Sequence, residues 1–149
     1  MAEEIILAGG SSGLVAALFT HGIGLPHLVD AGDPRLIDDV ARPVLAGEAI
    51  ISLAVTEPDG GSDVAGIRTR AEREGDVYVV TGSKMYITSV TRADFFTTAV
   101  RTCGPGAGGI SLPVIDRYLP GVEVNTFNLG SFEGGGEENQ NQRSAWWWP

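Results

Sequence analysis

Two hydrophobic periods divide the chain. From Ala2 to Glu48 apolar residues recur at intervals of three and four, as in Leu14 and Leu18 and again in Leu36, Val40 and Leu45, the spacing of one helical face. The segment Gly22-Ile23-Gly24-Leu25-Pro26 interrupts it, so the pattern predicts a run of short helices. Asp33 before Pro34 suits an N-cap with proline in the first turn, which predicts a helix from Pro34 to about Ala46. Pro43 lies inside that helix, has no N–H to donate and should end or kink the regular ladder.

After Gly47 the period becomes two. Ile51, Leu53 and Val55 alternate with Ser52, Ala54 and Thr56, the spacing of a strand with one apolar face. Further strands are predicted at Ile67 to Glu72, Val77 to Thr81, Lys84 to Thr88, Phe95 to Thr102, Gly109 to Asp116 and Val122 to Thr126. The pair Gly75-Asp76 suits a tight hairpin. Pro113 removes a ladder donor, so its strand should lie at an edge or carry a bulge. From Gly134 the chain is polar and without period until Trp146-Trp147-Trp148-Pro149, and it is read as a disordered or aberrant tail. The resulting expectation is an α+β fold. A partial helical domain over 1–48 precedes a small, mostly antiparallel barrel or sandwich over 49–130, and a tail over 131–149 follows.

Charge and composition narrow the function. Ten Lys or Arg against 19 Asp or Glu give a net charge of -9, which opposes a broad nucleic-acid or anionic-membrane surface. Hydrophobic residues make up 43% of the chain, enough for one ordinary core. A single cysteine, Cys103, permits no internal disulfide, and the N-terminal Met1-Ala2-Glu3-Glu4 is acidic where a secretory signal is basic. No apolar run approaches the ~20 residues of a membrane span, so a soluble cytoplasmic protein is expected. His21 and His27, with no suitably spaced cysteine, make no metal site.

Two glycine-rich stretches are candidates for chemistry. Ile5-Ile6-Leu7-Ala8-Gly9-Gly10-Ser11-Ser12-Gly13, with Asp30 about twenty residues later, has the outline of a dinucleotide-binding strand, turn and helix. No further β/α alternation follows it, and position 80, four before the single lysine Lys84, is Val80 rather than tyrosine. A close contact between two helices through small residues is the competing reading. The second stretch is Thr56-Glu57-Pro58-Asp59-Gly60-Gly61-Ser62-Asp63, in which Pro58 fixes one φ, Gly60 and Gly61 permit positive φ, and Ser62 offers a hydroxyl and an N–H. Such a turn should leave several N–H groups pointing outward towards an anionic or carbonyl-rich ligand, although the same sequence also serves as an ordinary loop.

The residues beyond that turn make it specific. Thr69, Ala71, the run Gly75 to Thr88 and Ala93-Asp94-Phe95 come in the order and spacing of the middle domain of acyl-CoA dehydrogenases, and the sequence closely resembles that family. The family's Thr-Glu-Pro-x-x-Gly-Ser-Asp motif is matched by Thr56 to Asp63. Its aromatic-Ile-Thr motif is matched by Tyr86-Ile87-Thr88, with Lys84 two places earlier. Arg101-Thr102, Gly109-Ile110-Ser111-Leu112 and Pro120-Gly121-Val122 continue the likeness, which covers roughly His21 to Val124.

The resemblance implies a barrel-like middle domain and an FAD-dependent oxidoreductase of fatty-acid β-oxidation type. Such an enzyme converts an acyl-CoA thioester to the trans-2-enoyl-CoA and passes electrons to an electron-transfer flavoprotein. It implies that a carboxylate takes the α proton while hydride leaves the β carbon for the flavin. Carried over by position, Leu53, Val55 and Thr56 pass beside the flavin, Gly61 also binds the cofactor, Ser62 sits where cofactor and acyl-CoA meet, and Tyr86, Ile87 and Thr88 cover the ring. Tyr86 offers a polarisable wall and Thr88 a hydroxyl, although a core aromatic and a cross-sheet threonine are the competing readings. Glu57 belongs to the turn rather than to catalysis.

The departures from the family concern length and ending. The family's full-length chain is a homo-oligomer with a C-terminal helical domain that carries the catalytic glutamate, and this sequence is read as a fragment without that base. Phe132-Glu133-Gly134-Gly135-Gly136 stands where the family has a last barrel strand, which would leave an edge unpaired. Ser89-Val90 replaces the more frequent Asn-Gly, and Gly60 a common alanine. The rival functions are an acyl-CoA oxidase or flavin monooxygenase of the same architecture, and a non-catalytic module that binds flavin or a CoA ester.

Overall fold

A computed structural model describes residues 2–125 and 143–147. Five short helices come first: α1 (Ala2–Leu7), α2 (Ser12–Gly24), α3 (Pro26–Ala31), α4 (Pro34–Leu36) and α5 (Arg42–Ala46). Asp33 caps α4 as its sequence predicts, its carboxylate accepting from Arg35 N at 2.9 Å. Between α4 and α5 the helix widens into a π turn over Ile37–Ala41, with Arg42 N donating to Ile37 O. Pro43 supplies the reason, because it has no N–H for the carbonyl four residues back and its ring crowds that carbonyl. The chain therefore bypasses the proline with one wider turn and stays helical to Ala46. The apolar run Ile5-Ile6-Leu7 lies in α1, not in a strand, which removes the dinucleotide reading.

The strands are β1 (Ile51–Ala54), β2 (Arg70–Glu74), β3 (Val77–Thr81), β4 (Phe95–Thr98), β5 (Val100–Arg101), β6 (Ile110–Ser111), β7 (Val114–Asp116) and β8 (Arg143–Trp147). They form a three-stranded sheet in the order β1-β4-β7 and a five-stranded sheet in the order β6-β5-β2-β3-β8. The β1–β4 and β2–β5 pairs are parallel and the remaining pairs antiparallel. The expected short helices and mostly antiparallel strands are present, but the barrel does not close among the described residues. The Phe95–Arg101 segment explains the split. It breaks at the buried Ala99, whose N–H still donates to Ala54 O of β1 at 2.9 Å, whereas Arg101 N donates to Thr69 O at 2.7 Å, so one run of chain serves both sheets. The Gly109 to Asp116 run divides likewise at Leu112-Pro113, leaving β6 and β7 each at a sheet edge, where a missing donor costs no ladder bond.

Other sequence expectations are corrected. Lys84 to Thr88 is not a strand but an extended arm, with left-handed φ at Tyr86 (56°) and again at Ser89 (62°). Left-handed backbone at Tyr86 and just past Thr88 interrupts the extended repeat that a regular ladder needs. Residues 122–125 of the predicted Val122 to Thr126 strand form no ladder, and Thr126 lies outside the described residues. Most of the expected disordered tail also lies outside them. Its described part, Arg143–Trp147, is a strand paired with the whole of β3, from Val77↔Trp147 to Thr81↔Arg143. The driving force is the row of unpaired N–H and C=O groups that β3 would otherwise present. The β2–β3 hairpin turns through Gly75-Asp76 as predicted, with Gly75 at a φ of 64° that a side chain would disfavour.

Two apolar clusters hold these layers. Leu25, Leu28, Val40, Ala41, Val44, Ala49 and Ile51 join the helices to β1. Ala54, Ala71, Val80, Ala93, Phe96, Val100 and Ile115 fill the space between the sheets. β1 therefore serves both clusters and is buried on both faces, Ser52 and Ala54 included, rather than on one apolar face. Burial of each Leu, Ile, Val or Phe side chain in these clusters contributes roughly 1.5–3 kcal/mol. The hydroxyl of buried Thr97 donates to Gly24 O at 2.9 Å and joins the end of α2 to β4.

Candidate functional site

β1 ends before Glu57, and the chain turns at once. Glu57 N donates to Gly60 O at 2.9 Å and Gly60 N to Glu57 O at 3.2 Å, closing a tight turn around Pro58 and Asp59. Those two N–H groups are satisfied internally and do not point outward as expected. Neither Gly60 nor Gly61 uses positive φ. Gly61 is needed for room instead, since a Cβ there would come within 3.2 Å of the Thr56 methyl. Ser62 follows on an exposed stretch leading to a short 3₁₀ turn, Val64–Gly66.

The 84–88 arm runs antiparallel alongside 52–56. Met85 N donates to Thr56 O at 2.8 Å, Lys84 Nζ to Val55 O at 3.0 Å, and Ser52 Oγ to Thr88 O at 2.7 Å. The structure thus brings Leu53, Val55 and Thr56 beside Tyr86, Ile87 and Thr88, with Gly61 against Thr56. The carbonyls of Val55 and Thr56 each accept one bond from the arm, and the Thr56 hydroxyl stands on the same segment. Leu53, Val55, Thr56 and Ile87 are half-buried, whereas Gly61, Ser62 and Thr88 are exposed. Tyr86 stands 77% exposed, so it is no core aromatic. Thr88 belongs to no ladder, so it does not pair across a sheet.

Glu57 and Lys84 form the joint that sequence reasoning passed over. Their side chains, 7% and 10% exposed, meet at 2.8 Å. The carboxylate also accepts from Arg68 N at 2.7 Å and Thr69 N at 2.9 Å. Burial alone would raise the Glu57 pKa, but the Lys84 ammonium and the two main-chain donors outweigh it and hold the carboxyl at about 2. The Thr69 hydroxyl faces the same carboxylate without reaching hydrogen-bond geometry, and Gly82 leaves it room, since a Cβ at that position would strike Thr69. Burial likewise pulls the Lys84 pKa down, and Glu57 pulls it back up. The signal in the sequence was the chain's single lysine placed two residues before the aromatic.

Nothing else among the described residues competes as a chemical centre. Glu57 is the buried charged residue of the main fold, and no group of three His, Cys, Asp or Glu could hold a metal ion. His27 is half-buried with its Nε2 unpartnered, and burial lowers its pKa against the pull of Asp30. Among the described residues no single helix is long and apolar enough to cross a membrane.

Layered strands with an exposed aromatic arm pinned along β1 set the frame for comparison with known proteins. Residues 52–131 match the family profile described as the acyl-CoA dehydrogenase middle domain. The acyl-CoA dehydrogenase apdG of Emericella nidulans is 41% identical over 139 residues, covering 89% of this chain and 31% of that protein. A probable acyl-CoA dehydrogenase from Mycobacterium abscessus superposes with a TM-score of 0.81 at 54% identity, over 98% of this chain and 38% of that one. A glutaryl-CoA dehydrogenase from Mycobacterium smegmatis, solved in complex with FADH2, gives 0.59 at 28% identity, over 77% of this chain and 28% of that one. The chain belongs to the acyl-CoA dehydrogenase family. It spans about a third of the length of these relatives.

Proposed function

We propose that this chain supplies the flavin-facing wall of an FAD-dependent acyl-CoA dehydrogenase that converts an acyl-CoA thioester to its trans-2-enoyl-CoA. The observation that carries the reading is the pinning of the Tyr86–Thr88 arm beside Leu53–Thr56 by three hydrogen bonds. The residue chemistry fits a planar, polar-edged ring: Tyr86 offers an exposed aromatic face, the Thr56 and Thr88 hydroxyls offer donors and acceptors, and Leu53, Val55 and Ile87 offer apolar contact. FAD, when bound, would supply the hydride acceptor. The chain's own part is to orient the ring, exclude water from one side and present Gly61 and Ser62 towards the thioester.

Glu57 does not serve as the base. A carboxyl held at about 2 by an ammonium and two N–H groups has little affinity for an α proton near neutral pH. In this reading the base comes from polypeptide outside the described residues, and an electron-transfer flavoprotein takes the electrons. The relatives' dehydrogenase activities and the FADH2 of the glutaryl-CoA dehydrogenase support it. The test is to purify the chain, add FAD, remove the excess by gel filtration and record the visible spectrum together with far-UV circular dichroism. A yellow, folded protein is expected. A folded protein that stays colourless after saturating FAD overturns the proposal.

A further inference from the structure

We propose that Lys84 and Glu57 are positioning residues for the flavin site, their buried ion pair setting the spacing between the Leu53–Thr56 segment and the Tyr86–Thr88 arm. The inference rests on the flavin reading of that site. Three separate pieces of chain meet at one carboxylate: Glu57 itself, the lead into β2 through Arg68 N and Thr69 N, and the arm through Lys84 Nζ. Nζ then makes a second bond, at 3.0 Å, to Val55 O, inside the segment the arm must face. The next residue, Met85, donates to Thr56 O, so the charge and the main chain register the arm at adjacent points.

Tyr86 needs such a hold. Its φ of 56° is a conformation that a bulky side chain disfavours, and with 77% of it exposed no packing fixes its place. It is held from its two sides, by Lys84 and Met85 before it and by Ser52 Oγ on Thr88 O after it. Stability does not explain the choice of charges here. A buried ion pair is on average no better for stability than an apolar pair of the same shape, whereas its directional bonds admit one geometry. A device whose worth lies in geometry, two residues from the aromatic, points to positioning.

The test compares the wild-type chain with Lys84→Arg, Lys84→Met, the neutral pair Glu57→Gln/Lys84→Met, and Val44→Ala. The last truncates the core between the helices and β1, away from the arm, as a control for a general loss of stability. Two quantities are read: amide exchange at Met85 relative to Phe96 in β4, and FAD affinity with the visible circular dichroism of the saturated flavin. In Lys84→Met both Nζ bonds, to Glu57 and to Val55 O, are lost while Met85 N and Ser52 Oγ still hold the arm, so the Met85 amide should exchange roughly tenfold faster relative to Phe96 and FAD should bind roughly tenfold more weakly. The flavin dichroism should change as well. The neutral pair should regain stability but not affinity, Lys84→Arg should regain both, and Val44→Ala should keep wild-type affinity and dichroism. A yellow wild-type protein alongside a Lys84→Met variant of equal affinity, dichroism and Met85 protection overturns the positioning role alone. A wild-type chain that takes up no FAD overturns the flavin reading and this role with it.

Discussion

Acid should destabilise this fold chiefly through Glu57. It is the carboxyl whose pKa in the described structure is moved clearly, from 4.5 in the unfolded chain to about 2. Because the folded value is the lower one, the stabilisation is fully present above pH 4.5 and is lost as pH falls towards 2. The whole difference corresponds to about 3 kcal/mol, and about 2 kcal/mol of it should be gone by pH 3. Lys84 stays charged in folded and unfolded states across this window, so its own burial cost drops out of the comparison. Against a typical domain stability of roughly 5–15 kcal/mol the loss is large. Urea unfolding followed by far-UV circular dichroism at pH 6, 5, 4 and 3 measures it. The control is Glu57→Gln/Lys84→Met, in which the one amide oxygen keeps either the Arg68 N or the Thr69 N bond, the amide nitrogen stands against the other, and neither charge remains. The control should stay within about 2 kcal/mol of wild type at pH 6 and lose little more by pH 3. Equal acid dependence in both proteins, within about 0.5 kcal/mol, would refute the reasoning, because the carboxyl would then not be held ionised by its partners.

Backbone and core supply two further expected outcomes. Ser89→Asn should raise stability by about 0.5 kcal/mol, since position 89 holds a φ of 62° and asparagine tolerates the left-handed region better than serine. A lower urea midpoint would mean that the Ser89 hydroxyl has a role of its own. Ile51→Ala should cost about 2–5 kcal/mol, because Ile51 is fully buried between β1 and the helices, and thermal unfolding would detect a smaller loss as collapse of the site.

The residues that announced themselves in the sequence are those whose conformation is a local matter. Asp33 before Pro34 capped a helix, Gly75-Asp76 turned a hairpin, Pro113 broke a strand, and the alternation at Ile51–Ala54 and Val77–Thr81 gave two strands at their true places. The spacing of Thr56–Asp63 and Tyr86–Thr88 carried the family resemblance without any coordinates. Ser89 also left a trace: a serine where the family more often has asparagine marks a left-handed residue, a reason visible only once its φ is known.

Tertiary structure decided what distant residues do to one another. The alternation of Lys84 to Thr88 promised a strand, yet the arm is bent because Lys84 reaches a carboxylate 27 positions earlier and Ser52 holds its far end. Phe95 to Thr102 read as one strand, but its N–H groups divide between two sheets, Ala99 N going to Ala54 O and Arg101 N to Thr69 O. Arg143–Trp147 showed no strand period that stood out from the tail, and the unpaired edge of β3 gave it one. Main-chain preference travels with a residue and its immediate neighbours, so it is written in the order of the amino acids. Burial, ion pairing and edge pairing depend on what the folded chain brings alongside, and only the assembled layers supply that.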